Sequence, residues 1–231
     1  MGEPAPDEDA LLVEQLDYYR ARAPEYEDWW YRRGAYRLLP RDWDRWRANV
    51  AAAEEYVDRF GPTGRILELA CGTGLWTRRL ARSASHLTAV DAAPEVLELN
   101  RSRLPAEAGP VTFVEADVFA WDPAEHFDVV FFSFWLSHVP PSRFEDFWAV
   151  VDRSLDRDGR FLFLDSGADE ANHEAADGLV SRRTLSDGRD FRIVKRFFEP
   201  EALDRRLREL GWEVEVTTVG SSFVGGWGQR R

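Results

Sequence analysis

The sequence has 231 residues, of which 44% are hydrophobic and 31% are charged, and its formal net charge is −12. This balance is typical of one folded globular domain, and the length leaves little room for two independent cores. The acidic surplus argues against a general nucleic-acid-binding protein, because neutralising phosphates requires a dense basic surface.

Two further features exclude classes of protein. The longest apolar stretch, residues 129–136, is less than half of the roughly 20 residues that cross a bilayer, so we expect no membrane partner. The single cysteine, Cys71, excludes an internal disulfide and a cysteine-cluster metal site. We therefore expect a cytoplasmic protein without a bound metal.

The first 60 residues predict a helical region ahead of the main fold. Residues 11–60 have helical spacing, are interrupted near Pro24 and Pro40, and are rich in aromatic side chains. We interpret residues 1–60 as a helical lid and residues 61–231 as the core of the same single domain. Plain helix packing is an equally good explanation of the aromatic side chains.

Seven short apolar runs alternate with helical stretches from residue 65 onward, at residues 65–69, 87–91, 111–115, 127–133, 160–165, 212–219 and 223–229. Helix starts are indicated by the loop at Gly74, by Pro94 in a first turn, and by Ser142 as an N-cap. Parallel crossovers fit the first five runs, whereas the last two are too close together and predict an antiparallel pair. The predicted fold class is α/β, a Rossmann-like doubly wound seven-stranded mixed sheet whose last strand is antiparallel.

We interpret residues 168–198 as an insertion between the fifth run and a helix at 199–210. The turn sequence Ser186-Asp187-Gly188 separates residues 182–185 from residues 191–197 and predicts a β-hairpin over the site. Its basic residues are Arg182, Arg183, Arg189, Arg192, Lys195 and Arg196. Guanidinium groups bind carboxylates, which favours an anionic ligand, while a solvated face or a dimer contact explains the charges equally well.

The run from Ile66 to Gly74 ends a buried strand in small residues immediately before a helix. Glycine allows a ligand to approach the backbone, and parallel sheets bind ligands at the carboxyl ends of their strands. Asp91 closes the second strand about 20 residues later, where a carboxylate can accept hydrogen bonds from ribose hydroxyls. A tight turn would explain the loop alone, but the loop and Asp91 together predict a nucleotide site.

Two positions distinguish the kind of nucleotide. A dinucleotide fingerprint has a third glycine three residues after Gly74, whereas this chain has Thr77. Asp117 ends the third strand, where its carboxylate can accept the adenine amino group. The site therefore suits adenosine without a pyrophosphate.

These residues resemble the class I S-adenosylmethionine-dependent methyltransferases over most of the chain from Arg65 onward. The first motif of that family, acid-x-Gly-x-Gly-x-Gly, is matched except that Ala70 replaces the first glycine. The resemblance implies S-adenosylmethionine as the cofactor, with ribose, adenine and methionine contacts spread over the ends of four strands. The cofactor-binding residues implied in this core are Glu68, Ala70, Gly72, Gly74, Asp91, Ala92, Asp117, Val118, Ser133 and Phe134.

The stretch from Tyr19 to Glu27 resembles the tyrosine spacing upstream of the core in quinone and trans-aconitate methyltransferases. The resemblance implies a cover in which Tyr19 and Tyr26 bind the cofactor. An aromatic face or phenol oxygen stabilises a sulfonium cation and excludes water. Our candidates for contacts with the methyl acceptor are Tyr18, Trp30, Trp135 and Arg192.

Methyl transfer is an in-line displacement, so proximity and orientation supply much of the acceleration. A base is required only where the acceptor loses a proton. His138 follows the fourth strand and is the best-placed base of the four histidines. The alternative is a structural loop histidine that bonds a backbone group.

We therefore expect an S-adenosylmethionine-dependent methyltransferase acting on a small-molecule acceptor, with oxygen favoured as the accepting atom, in a monomer or homodimer. An NAD(P)-dependent oxidoreductase and a non-catalytic S-adenosylmethionine-binding protein are the alternatives. Methylation of nucleic-acid bases is disfavoured, because Ser133-Phe134-Trp135-Leu136 replaces the Asn/Asp-Pro-Pro-aromatic loop of those enzymes.

Overall fold

The structure is a computed structural model that describes residues 7–167, 176–177 and 179–231. Its strands are β1 Gly64–Leu69, β2 Ala84–Asp91, β3 Val111–Glu115, β4 Phe127–Ser133, β5 Leu155–Ser166, β6 Ala176–Asp177, β7 Val180–Thr184, β8 Asp190–Val194, β9 Trp212–Val219 and β10 Phe223–Arg230. The α-helices within these residues are α1 Glu8–Arg22, α2 Trp43–Phe60, α3 Thr77–Leu80, α4 Pro94–Arg103, α5 Phe144–Ser154 and α6 Pro200–Glu209.

Seven of these strands form one mixed sheet in the order β3-β2-β1-β4-β5-β10-β9. Strands β1 to β5 are parallel, and β10 runs antiparallel to both β5 and β9. The predicted seven-stranded sheet with an antiparallel last strand is confirmed. The strand order reverses between β1 and β4, which is where doubly wound sheets bind ligands at the strand carboxyl ends.

The sheet is covered on both faces, as alternation along β4 shows. Phe132 belongs to a core cluster with α5 and α6, whereas its neighbour Phe131 belongs to a second cluster with α2 and α3. Successive side chains of a strand point to opposite faces, so a strand buried on both sides reads as a continuous apolar run. None of the helices among the described residues is both long and apolar enough to span a membrane.

The helix starts agree with the sequence in one case and not in another. Pro94 occupies the first turn of α4 as predicted. The prediction that Ser142 caps α5 is wrong, because α5 begins at Phe144 and Arg143 holds the cap position. The Ser142 hydroxyl instead donates a hydrogen bond to the Glu8 carboxylate on α1.

Strand β5 begins five residues earlier than the predicted start at Arg160. Leu155 pairs with Phe127 and Arg160 pairs with Val129, and the register shifts between these two pairs. Residues 156–159 lie between these two pairs. A Cβ at Gly159 would lie 2.8 Å from the Phe127 carbonyl oxygen, so glycine permits the two strands to approach here.

The N-terminal region is helical and is broken at both predicted prolines. Helix α1 is followed by a 3-10 segment, Ala23–Asp28, and α2 follows another, Pro40–Asp42. Proline suits the first turn of each segment because its missing N–H has no partner to lose there. Residues 7–60 thus lie ahead of the sheet as separate helical pieces, while their role as a lid stays a prediction.

The inserted β-hairpin is confirmed, with β7 and β8 joined by a turn in which Gly188 has a φ of 88°. It packs against α1, where the Tyr18 and Phe191 ring centroids are 5.6 Å apart. Strand β6 pairs with β7 in the same small sheet. Residues 168–175 and 178 of the predicted insertion lie outside the described residues.

Candidate active site

The loop after β1 has a backbone that only a glycine-rich sequence adopts easily. Gly72 and Gly74 have φ values of 55° and 91°, and Ala70 has a φ of 51°. A Cβ at Gly74 would collide with Asn100 Oδ1, so Gly74 allows the loop to pack on α4. Asn100 Nδ2 donates hydrogen bonds to the Gly72 carbonyl and to Thr77 Oγ1. Asn100 was not among the residues predicted from the sequence.

Glu68 lies beneath this loop. Its side chain is 2% exposed and accepts a hydrogen bond of 2.6 Å from Thr77 Oγ1. Burial raises the pKa of the Glu68 carboxyl group to about 8. Glu68 and Gly74 therefore stabilise the glycine loop on the side that packs against α3 and α4. Neither residue lines the cavity on the opposite side of the loop.

A cavity at the carboxyl ends of β1, β2 and β4 brings the other predicted cofactor residues together, namely Tyr19, Tyr26, Ala70, Gly72, Asp91, Ala92, Asp117, Val118, Ser133 and Phe134. The lining is mainly apolar, with the carboxyl groups of Asp91 and Asp117 among its polar groups. Sites of this composition hold an apolar ring and fix its orientation through a few polar contacts.

The environment of Asp91 fits a ribose. Its two carboxylate oxygens accept backbone hydrogen bonds of 3.0 Å each from Gly72 and Ala93, which fixes the side chain at the cavity. A carboxylate oxygen has more than one lone pair, so both oxygens can still accept hydroxyl groups. A Cβ on Gly72 would lie 3.6 Å from the Tyr26 ring, so the lack of a side chain at Gly72 leaves room for a ligand beside the Asp91 carboxylate. These residues fit an adenosine-containing cofactor.

Helix α1 and the 3-10 segment Ala23–Asp28 form the other side of this cavity through Leu12, Gln15, Leu16, Tyr19 and Tyr26. Glu27 fastens this segment to the glycine loop. Its Oε1 accepts hydrogen bonds from Thr73 Oγ1 at 3.1 Å and from Arg103 Nη1 at 2.8 Å. The sequence indicated an acid at this position through the tyrosine-rich stretch but did not predict its partners.

A second cavity of about 920 Å³ adjoins the first. Tyr19, Tyr26 and Phe134 line both cavities, so they stand at the junction between them. Among the described residues that line the second cavity, Asp42 is the one acid, and the basic residues are Arg22, Arg32, Arg41, Arg45, Arg182, Arg183 and Lys195. Within a chain of net charge −12, this is a strongly cationic cavity.

Two of these cations are deeply buried. Arg22 is 9% exposed, donates to the Tyr36 hydroxyl at 3.2 Å, and lies 5.3 Å from the Tyr26 ring centroid. Lys195 is 5% exposed, and its Nζ donates to Ser166 Oγ at 2.8 Å. Within residues 7–167 and 179–231, no carboxylate forms an ion pair with either side chain. The sequence offered only weak signals for them, since Lys195 is the single lysine of the chain and Arg22 lies in the tyrosine-rich stretch.

His138 lines the cationic cavity and is 7% exposed. Its Nδ1 lies 2.7 Å from the Val194 carbonyl oxygen, and its Nε2 lies 2.9 Å from the Tyr19 hydroxyl. Burial, and then the charge of Lys195, hold the pKa of the imidazole well below its usual range. His138 is thus held as a neutral ring between α1 and β8.

The four predicted acceptor contacts are not brought together. Trp135 lines the cofactor cavity, where its ring lies 5.9 Å from that of Phe119. Tyr18 is buried against the hairpin, Trp30 is buried against Trp46, and Arg192 is exposed and pairs with Glu14 at 2.8 Å. Tyr18, Trp30 and Arg192 line neither cavity. Within the described residues, no group of three or more His, Cys, Asp or Glu side chains is arranged to hold a metal ion.

Comparison with known proteins agrees with this geometry. Residues 66–159 match the family model of a methyltransferase domain. The chain is 36% identical over 171 residues to a ubiquinone biosynthesis O-methyltransferase from Xanthomonas axonopodis pv. citri, covering 70% of this chain and 68% of that protein. Other curated relatives are matched over less of their length, such as 26% of a magnesium-protoporphyrin O-methyltransferase from Rhodobacter capsulatus and 58% of a probable thiol methyltransferase from Arabidopsis thaliana.

Solved structures share the whole architecture. The DhpI–SAH complex superposes with a TM-score of 0.77 at 36% identity, covering 96% of this chain and 98% of that chain. A 1,6-didemethyltoxoflavin-N1-methyltransferase from Burkholderia thailandensis has the same fold, with a TM-score of 0.64 at 19% identity, over 100% of this chain and 93% of that chain.

The fold and the site define a Rossmann-like enzyme built around an adenosine cofactor. The chain belongs to the class I S-adenosylmethionine-dependent methyltransferases, and its cofactor is S-adenosylmethionine (SAM). This assignment replaces the NAD(P)-dependent alternative, in agreement with the position of Thr77.

Proposed function

We propose that the protein transfers the methyl group of SAM to an anionic small molecule bound in the cationic cavity. The observation that carries this proposal is the pair of buried cations, Arg22 and Lys195, which form no ion pair within the described residues. The buried carboxyl group of Asp165 interacts electrostatically with Lys195 but forms no ion pair with it. A buried charge that is not fully compensated is costly, and an anionic ligand in this cavity would offset that cost. The cavity adjoins the cofactor cavity, as the acceptor site of a methyltransferase must.

Oxygen is the proposed accepting atom. An ionised acid carries its own nucleophilic oxygen and has no proton to lose, which suits a cavity whose histidine is held neutral at low pKa. The O-methyltransferase name of the Xanthomonas relative supports the same choice. The bound acid would lie close to the SAM methyl group, so positioning supplies much of the acceleration.

A labelling experiment tests this proposal. The protein is incubated with isotopically labelled SAM and a panel of small carboxylic, phosphoric and phenolic acids, each paired with its neutral amide or ester, and the products are analysed by mass spectrometry. We expect label on acids and little on the neutral partners. Equal labelling of both groups, or labelling confined to amines, would overturn the proposal.

Variants link the selectivity to the cavity. Lys195→Met keeps the length of the side chain and removes the charge, so it should raise the KM for an acid without weakening the binding of SAM. The matched control is Arg189→Gln in the hairpin turn, where Arg189 is exposed and pairs with Asp187. An unchanged KM for the acid in Lys195→Met would remove Lys195 from the acceptor site.

A further inference from the structure

The contacts of His138 determine which of its nitrogens carries the proton. A backbone carbonyl oxygen only accepts hydrogen bonds, and that of Val194 lies 2.7 Å from Nδ1. Nδ1 must therefore be the protonated nitrogen. In a neutral ring, Nε2 is then an acceptor with one lone pair.

The same contacts determine the direction of the Tyr19 hydroxyl. Its oxygen lies 2.9 Å from His138 Nε2, and a nitrogen without a proton can only accept, so Tyr19 donates. A phenol has one hydroxyl proton, and burial raises the pKa of Tyr19 well above its usual range, so the proton stays on the oxygen. Apart from the proton that it donates to His138, the Tyr19 hydroxyl therefore presents only oxygen lone pairs.

This oxygen belongs to a residue at the junction of the two cavities. With the acceptor in the cationic cavity, as proposed above, the methyl group passes through that junction during transfer. SAM carries its positive charge on the sulfur that holds the methyl group. The neighbouring cavity contributes the buried cations Arg22 and Lys195, whose positive charges disfavour a cation at the same place. An oxygen that presents lone pairs alone offsets part of that repulsion.

We propose that His138 is a positioning residue that holds the proton of the Tyr19 hydroxyl away from the junction. The lone pairs of the Tyr19 oxygen then favour binding of the cationic SAM over binding of its neutral product S-adenosylhomocysteine (SAH). The inference rests on the use of SAM by this family and on the acceptor cavity of the proposed function, but it does not require the acceptor to be anionic. It assigns to His138 a role other than general base, and the two roles differ in a binding measurement made without any acceptor.

The test is calorimetric titration of SAM and SAH into five forms of the protein, namely the wild type, three single variants and one double variant. Tyr19→Phe removes the oxygen and should weaken SAM roughly three- to tenfold while leaving SAH within a factor of two, the scale of one hydrogen bond. His138→Leu removes the acceptor that orients the phenol and should lower the preference for SAM in the same direction. His138→Gln can donate to the Val194 carbonyl and accept from Tyr19, so it should retain the preference.

Each outcome decides the proposal. Equal losses for SAM and SAH in Tyr19→Phe, or an unchanged ratio, would overturn it, whatever the acceptor proves to be. In the double variant Tyr19→Phe/His138→Leu, the preference should be no lower than in Tyr19→Phe alone, because His138 acts through the phenol. If circular dichroism shows that His138→Leu does not fold, Tyr19→Phe and His138→Gln still test the proposal. A preference retained in both would contradict the proposal.

Discussion

The hydroxyl of Thr77 donates a hydrogen bond of 2.6 Å to the buried carboxyl group of Glu68. Thr77 stands where a dinucleotide-binding sequence has its third glycine, the residue that allows its helix to approach the strand closely. Here the space between α3 and β1 holds a threonine, a glutamate and Asn100 Nδ2, which donates to Thr77 Oγ1 at 2.8 Å. The loop is therefore fixed by side-chain hydrogen bonds beneath it.

The Glu68 site predicts a pH dependence of stability. The pKa of Glu68 is raised to about 8 by burial, above the ordinary value of 4.5, so the folded state binds its proton more tightly than the unfolded state. This contribution to stability is fully present below the unfolded pKa and is lost as pH rises through the folded pKa. Between about pH 4.5 and pH 8, Glu68 should lower the free energy of unfolding by up to about 1.4 kcal/mol per pH unit.

Glu68→Gln isolates the contribution of Glu68 to this pH dependence. The amide oxygen can still accept a hydrogen bond from Thr77, and the amide does not titrate in this range. Free energies of unfolding are measured by urea denaturation at several pH values from 5 to 8 in both proteins. The difference between them should grow in favour of Glu68→Gln as pH rises. Parallel curves would show that Glu68 does not titrate in the window between the two pKa values.

Asp91→Ala should weaken SAM binding by about 1.5–3 kcal/mol, since ribose hydroxyls would lose a charged acceptor. Isothermal calorimetry measures the affinity, and circular dichroism checks the fold because Gly72 and Ala93 also donate to this carboxylate. The control is Glu115→Ala, which removes an exposed acid paired in register with Asp91 on β3. Undiminished affinity in folded Asp91→Ala would remove Asp91 from the cofactor site.

Gly72→Val should abolish SAM binding while the protein remains folded. A branched side chain at a φ of 55° is strained, and its Cβ would project beside the Tyr26 ring at the cofactor cavity. Gly188→Val is the matched control, because Gly188 has a φ of 88° with no atom within 4 Å of its Cβ position. Thermal melts should show a loss of stability in both variants, and calorimetry a loss of binding in Gly72→Val alone. Retained binding would contradict the role of the glycine loop.

Much of the fold was predictable because the signals are local. Strands such as β4 are buried on both faces and read as continuous apolar runs, and parallel topology carries their ends to one edge of the sheet. That is why the residues at those ends, including Asp91 and Asp117, were predicted to lie at one site and do line one cavity. The start of β5 was missed because a register shift is set by the partner strand.

The acceptor side was less predictable because its contacts join distant parts of the chain. Arg22 on α1 and Lys195 after β8 come together at one cavity only because α1 packs on the inserted hairpin. The aromatic N-terminal segment and the basic hairpin suggested Trp30 and Arg192, but packing places Trp30 in an aromatic cluster and Arg192 at the surface. Charge and aromatic content predicted the kind of site, and tertiary packing selected its members.

The last prediction concerns movement of the N-terminal segment, residues 11–39. This segment supplies Tyr19 and Tyr26 to the cofactor cavity and is fastened to the glycine loop through Glu27. Because SAM must enter beneath these residues, we expect the segment to open in the free protein and to close when SAM or SAH binds, with Pro24 and Pro40 marking the breaks. Hydrogen exchange should then show protection rising across residues 11–39, with smaller changes in the distant strands β9 and β10.

Glu27→Gln tests the fastening. Glu27 is partly buried, with 11% of its side chain exposed, and Arg103 Nη1 lies 2.8 Å from its Oε1. Removing the charge of Glu27 should therefore speed exchange in this segment before ligand is added. Glu55→Gln is the control, since it removes an exposed i,i+4 pair with Arg59 on α2, of the kind that contributes little to stability. Exchange that is already slow throughout residues 11–39 in the free protein would make this segment a fixed part of the core, and its aromatic side chains would then act by packing alone.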